Sequence, residues 1–326
     1  MKLILHAGMS KAGSSSIQAT IHRNRDALKE QGILVPRTGA KGRRHFKFVH
    51  TDGGDYKDLV DRLIAEAEQS HCHTVILSDE SFNKKNPTKH NYLKTCFDEI
   101  KIVFFLRRQD LLLESYYNQM IKGPWAKKRS YAGVDKLTDY GMSLHWLHYD
   151  RLLDNFAAIF GSDAVMAFPF EKGAIPNNLA RFFLVDVCGA ARSGLKLKQT
   201  IANSAIPYSG LGILRALNKR DLSIISEGGA PRQIIEAIIK REFSDTSKYI
   251  IDHEARKAFM ENYQAGNNYV AENYLEPASK QLFKIGLPPV DAPIQDTRVS
   301  DEITIEIMEK IIAALANQLR NNSTIL

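Results

Sequence analysis

Leu3-Ile4-Leu5-His6-Ala7-Gly8-Met9-Ser10-Lys11-Ala12-Gly13-Ser14-Ser15-Ser16-Ile17-Gln18 runs from an apolar triplet through small residues into a helical pattern. A short continuous apolar run bounded by glycine reads as a buried parallel strand. From Ser14 to about Glu30, Ile17, Ile21 and Leu28, with Ala27 alongside, share one helical face, and Gly32 sits where a helix C-terminal glycine belongs. The order is strand, glycine-rich loop, helix. A loop at that junction is where doubly wound folds bind phosphates, because the helix N-terminus exposes N–H groups and carries partial positive charge. Gly8 and Gly13 let backbone approach an anion, Lys11 adds a full charge, and Ser14, Ser15 and Ser16 add hydroxyl donors. The nucleotide P-loop pattern G-x-x-x-x-G-K-[ST] is not met, since Ser14 follows Gly13 and the lysine lies inside the loop.

Further along, Thr74 to Leu77, Ile100 to Leu106 and Ala164 to Phe168 read as buried strands. Helices are expected over about 55–69, 110–122 and 143–160. After about residue 190 the strand signals fade and helical stretches remain at 210–218, 232–243, 252–269 and 302–319. The expected fold class is α/β: a P-loop-like parallel sheet flanked by helices, with a helix-rich C-terminal part. The whole chain, 1–326, reads as one domain, with an α/β core over about 1–190 and a helical part over about 191–326.

A second cluster follows the strand ending at Leu106. Arg107 lies at its C-terminal edge and Ser115 eight residues on, in a helix. An arginine fork with a hydroxyl suits one phosphate group, and the crevice at the C-terminal edge of a parallel sheet is where ligands bind.

Together the two clusters resemble the PAPS-dependent sulfotransferase family, and more closely its bacterial carbohydrate-type branch. Lys11-Ala12-Gly13-Ser14-Ser15-Ser16-Ile17-Gln18 follows that branch's first motif, and Leu106-Arg107-Arg108-Gln109-Asp110 with Glu114 to Gln119 follows its second. Asn203-Ser204 is similar to a later polar motif. The chain departs at Ser10, where a proline is usual, and at Ala12, where a threonine is usual. The resemblance implies transfer of a sulfuryl group from PAPS to a hydroxyl or amine, leaving PAP, without a metal. It implies that residues 11–16 hold the 5′-phosphosulfate, with Lys11 stabilising charge on the leaving phosphate, and that Arg107 and Ser115 hold the 3′-phosphate. An acceptor hydroxyl needs a general base. Glu80, just after the second strand, is the first choice, His45 the second and Asp79 the third. A P-loop-type nucleotide kinase and a non-enzymatic polyanion-binding protein are the competing readings.

The 326 residues are 44% apolar and 25% charged, which excludes collagen-like, coiled-coil and disordered chains. Lys plus Arg exceed Asp plus Glu by 44 to 37, a net charge of +7 with pI near 9.1. An anionic partner follows from such an excess but not its identity. The stretch 37–50 carries basic residues and no acid, and Lys122, Lys127, Lys128 and Arg129 form a second basic group. Both are candidate surfaces for a carbohydrate, glycolipid or other hydroxyl acceptor, with an anionic one favoured over nucleic acid. Trp125, Trp146 and Tyr116-Tyr117 are candidate stacking residues, though core positions suit most of them better. Cys72, Cys96 and Cys188 are odd in number and widely spaced, against a disulfide scaffold, and His71 and His73 around Cys72 make a weak metal set. No segment reaches the roughly 18 apolar residues of a membrane span, and the first residues turn polar too soon for a signal peptide. A cytoplasmic protein, free or peripheral to a membrane, is expected.

Overall fold

The computed structural model describes residues 1–84, 87–122, 134–175, 178–198, 205–219, 230–276 and 279–323. Trp125, Lys127, Lys128, Arg129 and Asn203-Ser204 lie outside the described residues. Five parallel strands form one sheet: β1 (Lys2–His6), β2 (Ile33–Leu34), β3 (Thr74–Ser78), β4 (Glu99–Leu106) and β5 (Val165–Pro169), in the order β2-β3-β1-β4-β5. The expected α/β class with a parallel sheet flanked by helices is what the chain adopts. The apolar triplet of β1 is fully buried, as are Val75 to Leu77 and Ile102 to Leu106, because parallel strands are covered on both faces. β2 adds a strand to the three that follow β1 in the sequence reading; two residues are too short to show a period.

The first helical stretch is two helices, α1 (Ser14–Arg23) and α2 (Arg25–Glu30). Asn24 separates them. Its amide donates to the Thr20 carbonyl at 2.8 Å, and its side-chain oxygen accepts from the Lys196 N–H at 2.6 Å. Such side chains compete with the helix ladder. Next come α3 (Phe46–His50), α4 (Gly53–Gln69), α5 (Leu93–Cys96) and α6 (Gln109–Lys122). α4 buries Tyr56, Leu59, Val60, Leu63 and Ala67 at helical spacing. The helix expected over 143–160 begins at Tyr149, because His145–Leu147 forms one tighter turn that buries Trp146 and Leu147.

The chain divides into two compact units, neither of them contiguous. The first holds residues 1–112, 145–202 and 261–286, and the second 113–144, 203–260 and 287–326. The boundary expected near residue 190 does not match this division, because α6 and the helix His253–Tyr274 each contribute to both units. The first unit contains the whole sheet. Within it Arg108 grips Asp110 with two bonds of 2.7 and 2.9 Å and donates to the Ile285 and Gly286 carbonyls.

The second unit is helical among its described residues. It includes Leu211–Lys219, Ala230–Glu242 and Asp301–Ser323. At its centre Arg256, 1% exposed, donates to Glu114, 2% exposed, at 2.6 Å. The same carboxylate oxygen accepts the backbone N–H groups of Ile250 and Ile251. Burial pushes the Glu114 carboxyl above the ordinary carboxylate range, against the pull of Arg256 and the two amides. Removing one partner of a buried pair leaves an uncompensated charge. Arg256→Met is therefore expected to lower unfolding free energy by about 3–5 kcal/mol, and Arg256→Met with Glu114→Leu to recover part of it, as read by urea denaturation.

Candidate functional site

β1 pairs with β3 on one side and β4 on the other, with His6 level with Ser78 and with Val103. All three strands run the same way, so the residues that follow them share one edge. The chain leaves β1 toward β2 and β3, and leaves β4 toward β5. That divergence between β1 and β4 is the switch point at which open parallel sheets bind ligands.

The β1–α1 loop crosses this point. Gly8, Lys11 and Gly13 have φ of 54°, 66° and 83°. Lys11 is one of two described non-glycine residues with positive φ, a conformation that costs energy for a side chain with Cβ. Gly13 is the N-cap of α1, and a Cβ there would lie 2.2 Å from the Leu179 side chain. Gly8 is less crowded but still tight: its Cβ would lie 3.0 Å from the Glu80 Cα and from Ser14 Oγ. The loop is closed internally by Ser14 Oγ, which donates to the Met9 carbonyl at 2.9 Å, and by Asn83, which donates to the Gly8 carbonyl at 2.8 Å. No acid occupies the first turn of α1. Ala12 is buried, Ser15 is exposed, and Lys11, Gly13 and Ser16 are half-buried. Ser16 Oγ and Asn83 Oδ1 are buried atoms without a hydrogen-bond partner.

Arg107, next after β4, joins the two sequence clusters. Its guanidinium donates to the Lys11 carbonyl at 2.9 Å, and its own carbonyl accepts from the Tyr149 hydroxyl at 2.5 Å. Ser115 is half-buried on α6, in the second unit. Tyr117 and Trp146 are buried, so both are core aromatics rather than open stacking faces.

The acidic pair after β3 has two characters. Asp79 is fully buried, while Glu80 has a side chain 22% exposed. Arg44 donates to Asp79 through two nitrogens at 2.6 and 3.1 Å, and to Ser81 Oγ at 2.9 Å. Its third nitrogen lies 3.5 Å from Glu80 Oε1. Burial opposes the guanidinium charge, but the bonds to Asp79 and the charges of Glu80 and Asp79 outweigh it and hold the Arg44 pKa above its ordinary value. Gln18 of α1 donates to Glu80 Oε2 at 3.5 Å. Sequence reasoning missed Arg44, Asn83 and Tyr149 and quoted Gln18 without a partner; the partners lie 35 or more positions away. Only the acid-free stretch hinted at Arg44.

His45 does not join the site as a base. It is 2% exposed, its Nδ1 accepts the Ser78 N–H at 3.0 Å, and its Nε2 bonds to the Pro36 carbonyl at 3.1 Å. Burial, partly offset by these bonds, pushes its pKa down to about 4. A neutral ring with both nitrogens engaged pins the 37–50 stretch to β3. His6, fully buried and bonded to Ser78 Oγ at 2.8 Å, is pushed down to about 3 by burial. The three cysteines are free thiols. Among the described residues no three His, Cys, Asp or Glu side chains gather as metal ligands, and no helix is long and apolar enough to cross a membrane.

No family model matches the chain. Over 213 residues it is 22% identical to an uncharacterized protein of Archaeoglobus fulgidus, covering 65% of this chain and 54% of that protein. The chain thus spans about half the length of this relative. Among solved structures it is similar to a sulfotransferase from Alicyclobacillus acidocaldarius, at 14% identity, over 68% of this chain and 94% of that one. The TM-score is 0.39, an overlap too slight to carry an argument.

Buried His45 contributes to the acid response of the fold. An unfolded histidine titrates near 6.5 and folded His45 near 4, so between these values the unfolded chain binds more protons. The stability that His45 contributes is complete above pH 6.5 and is lost as the pH drops toward 4, by about 3 kcal/mol. His45→Gln is expected to flatten that part of the profile, as measured by urea denaturation at several pH values. Gly13→Ala should cost about 1–3 kcal/mol through the φ of 83° and the contact with Leu179.

Proposed function

We propose that this chain is a sulfotransferase that uses PAPS, with a hydroxyl or amine of a carbohydrate, glycolipid or other lipid as acceptor. The observation that carries the reading is the bond from Arg107 to the Lys11 carbonyl, 2.9 Å long. It ties the two sequence motifs together at one point of the sheet edge, where a donor phosphorylated at both ends would need a cation for each phosphate. The loop's chemistry fits such a ligand. Backbone at Gly8, Lys11 and Gly13 is turned into the left-handed region, the first turn of α1 is free of acid, and the Ser16 hydroxyl is buried without a partner. Oriented amides at a helix N-terminus with a nearby lysine bind anions.

PAPS would supply the sulfuryl group. Gly13, Ser14, Ser15 and Ser16 would hold its 5′-phosphosulfate through N–H groups and hydroxyls, and Arg107 would take the 3′-phosphate as a fork. Lys11 would stabilise the negative charge that builds on the leaving phosphate, which is the main task of protein groups in transfers of this loose, in-line kind. Glu80 is the base we assign, since it is the carboxylate beside the loop with part of its side chain in solvent. Asp79 is committed to Arg44 in the interior.

The test is thermal denaturation with added nucleotide. PAP is expected to raise Tm without magnesium; a Tm that responds to ATP with magnesium and not to PAP assigns the chain to the kinases, and salt-sensitive heparin binding that survives Lys11→Ala makes it a polyanion binder. Lys11→Ala is expected to abolish transfer of radiolabelled sulfate. Arg107→Ala is expected to weaken PAP binding by about 2 kcal/mol or more, within the range for a charged hydrogen bond. Wild-type transfer by both variants would refute the site.

A further inference from the structure

The acid-free stretch 37–50 contains one side chain aimed at the acidic pair that follows β3. The guanidinium of Arg44 has three nitrogens, and each has an acidic partner or neighbour. Nε and one terminal nitrogen clasp both oxygens of Asp79 at 3.1 and 2.6 Å, and the second of these also reaches Ser81 Oγ at 2.9 Å. Asp79 is itself held from the other side: it is fully buried and accepts the Ser81 N–H at 2.8 Å. A planar fork held at two points has no freedom to rotate. The remaining nitrogen is therefore presented at a fixed place, 3.5 Å from Glu80 Oε1.

Glu80 is held from its other side as well. Its second oxygen faces the Gln18 amide at 3.5 Å, and its Cα lies where a Cβ on Gly8 would be only 3.0 Å away. A carboxylate 22% exposed is thus bracketed by one cation and one amide, on a backbone pressed against the β1–α1 loop. The stretch is anchored next door by His45, whose ring and backbone both bond to Ser78. Lysine could supply the charge but not the three-way fork.

We propose that Arg44 is a positioning residue, which holds the Glu80 carboxylate at the rim of the phosphate loop through its fixed grip on Asp79. This rests on Glu80 acting as the base in the function proposed above. A base must sit within hydrogen-bond reach of the proton it takes, and a displacement of about 1 Å costs as much as a hundred-fold in rate.

The experiment measures transfer of radiolabelled sulfate from PAPS to a polysaccharide and lipid extract of the source cells. It compares Arg44→Gln, Arg44→Lys, Glu80→Gln and the Arg44→Gln/Glu80→Gln pair, with PAP-induced Tm shifts recorded for each. Arg44→Gln is expected to lower the rate at saturating PAPS by about ten-fold or more, with the KM for PAPS and the PAP-induced shift unchanged. Arg44→Lys should recover part of the loss. The double variant should be no slower than Glu80→Gln alone, because Arg44 would have nothing left to hold. Since Arg44→Gln strands the buried Asp79 charge, the series is repeated with Asp79→Asn throughout, where no buried carboxylate is left unpaired.

Losses that multiply in the double variant, or a KM for PAPS that rises in step with the fall in rate, would overturn the proposal and leave Arg44 a purely structural residue. Full activity of Glu80→Gln would remove the base and Arg44's role together while the PAP response persisted. A wild-type protein with no PAP response would instead sink the sulfotransferase reading itself, and Arg44's role with it.

Discussion

The site depends on β1 lying between two parallel neighbours in matched register. Once His6 is level with both Ser78 and Val103, the residues after each strand must emerge at the same edge. Pairing continues past the strand ends: the Ala7 N–H bonds to the Val103 carbonyl and the Asp79 N–H to the His6 carbonyl. The loop, the acidic pair and Arg107 are therefore placed by backbone before any side chain takes part. Burying the apolar strands supplies the driving force, and the strained φ of Lys11 is tolerated because its surroundings over-determine it. Two of those constraints are visible, the Arg107 bond to the Lys11 carbonyl and the crowding at Gly13.

Most of the sheet was legible in the sequence because a fully buried parallel strand needs a run of apolar residues, and the chain has few such runs. That Lys11, Gly13 and Arg107 would share one sheet edge was legible because glycine placement and strand ends are local features. What stayed hidden was set by distance along the chain. Nothing near Arg44 in the sequence names Asp79 as its partner, and nothing near Asn24 announces that Lys196 will take its side chain and divide a helix. His45 misled for a related reason. Among arginines and lysines it looks solvated, yet it turns inward while its neighbours do not, and no period in so short a stretch reveals which residues do so.

The excess of positive charge also changes meaning in three dimensions. The stretch 37–50 is free of acid only as a string. In the fold, Glu66 accepts the backbone N–H groups of Arg37 and Thr38, and Asp79 takes Arg44. Sequence-local charge excess therefore overstates the cationic surface, and part of the +7 serves to hold the acidic residues beside the β1–α1 loop.

The interleaving of the two units bears on how the protein can be handled. A fragment ending near residue 190 would keep every strand of the sheet, yet it would lose Ile285 and Gly286, whose carbonyls receive Arg108 one position after Arg107. It would also lose Asn267, the partner of Gln109 at the start of α6. Arg108 would keep Asp110 and Gln109 the Leu147 carbonyl, but the bonds to Ile285, Gly286 and Asn267 would go, a cost comparable to losing several hydrogen bonds. The sheet-bearing part of this chain is thus not a removable module. The carbonyls that receive the residue beside Arg107 are written 177 and 178 positions further along the chain.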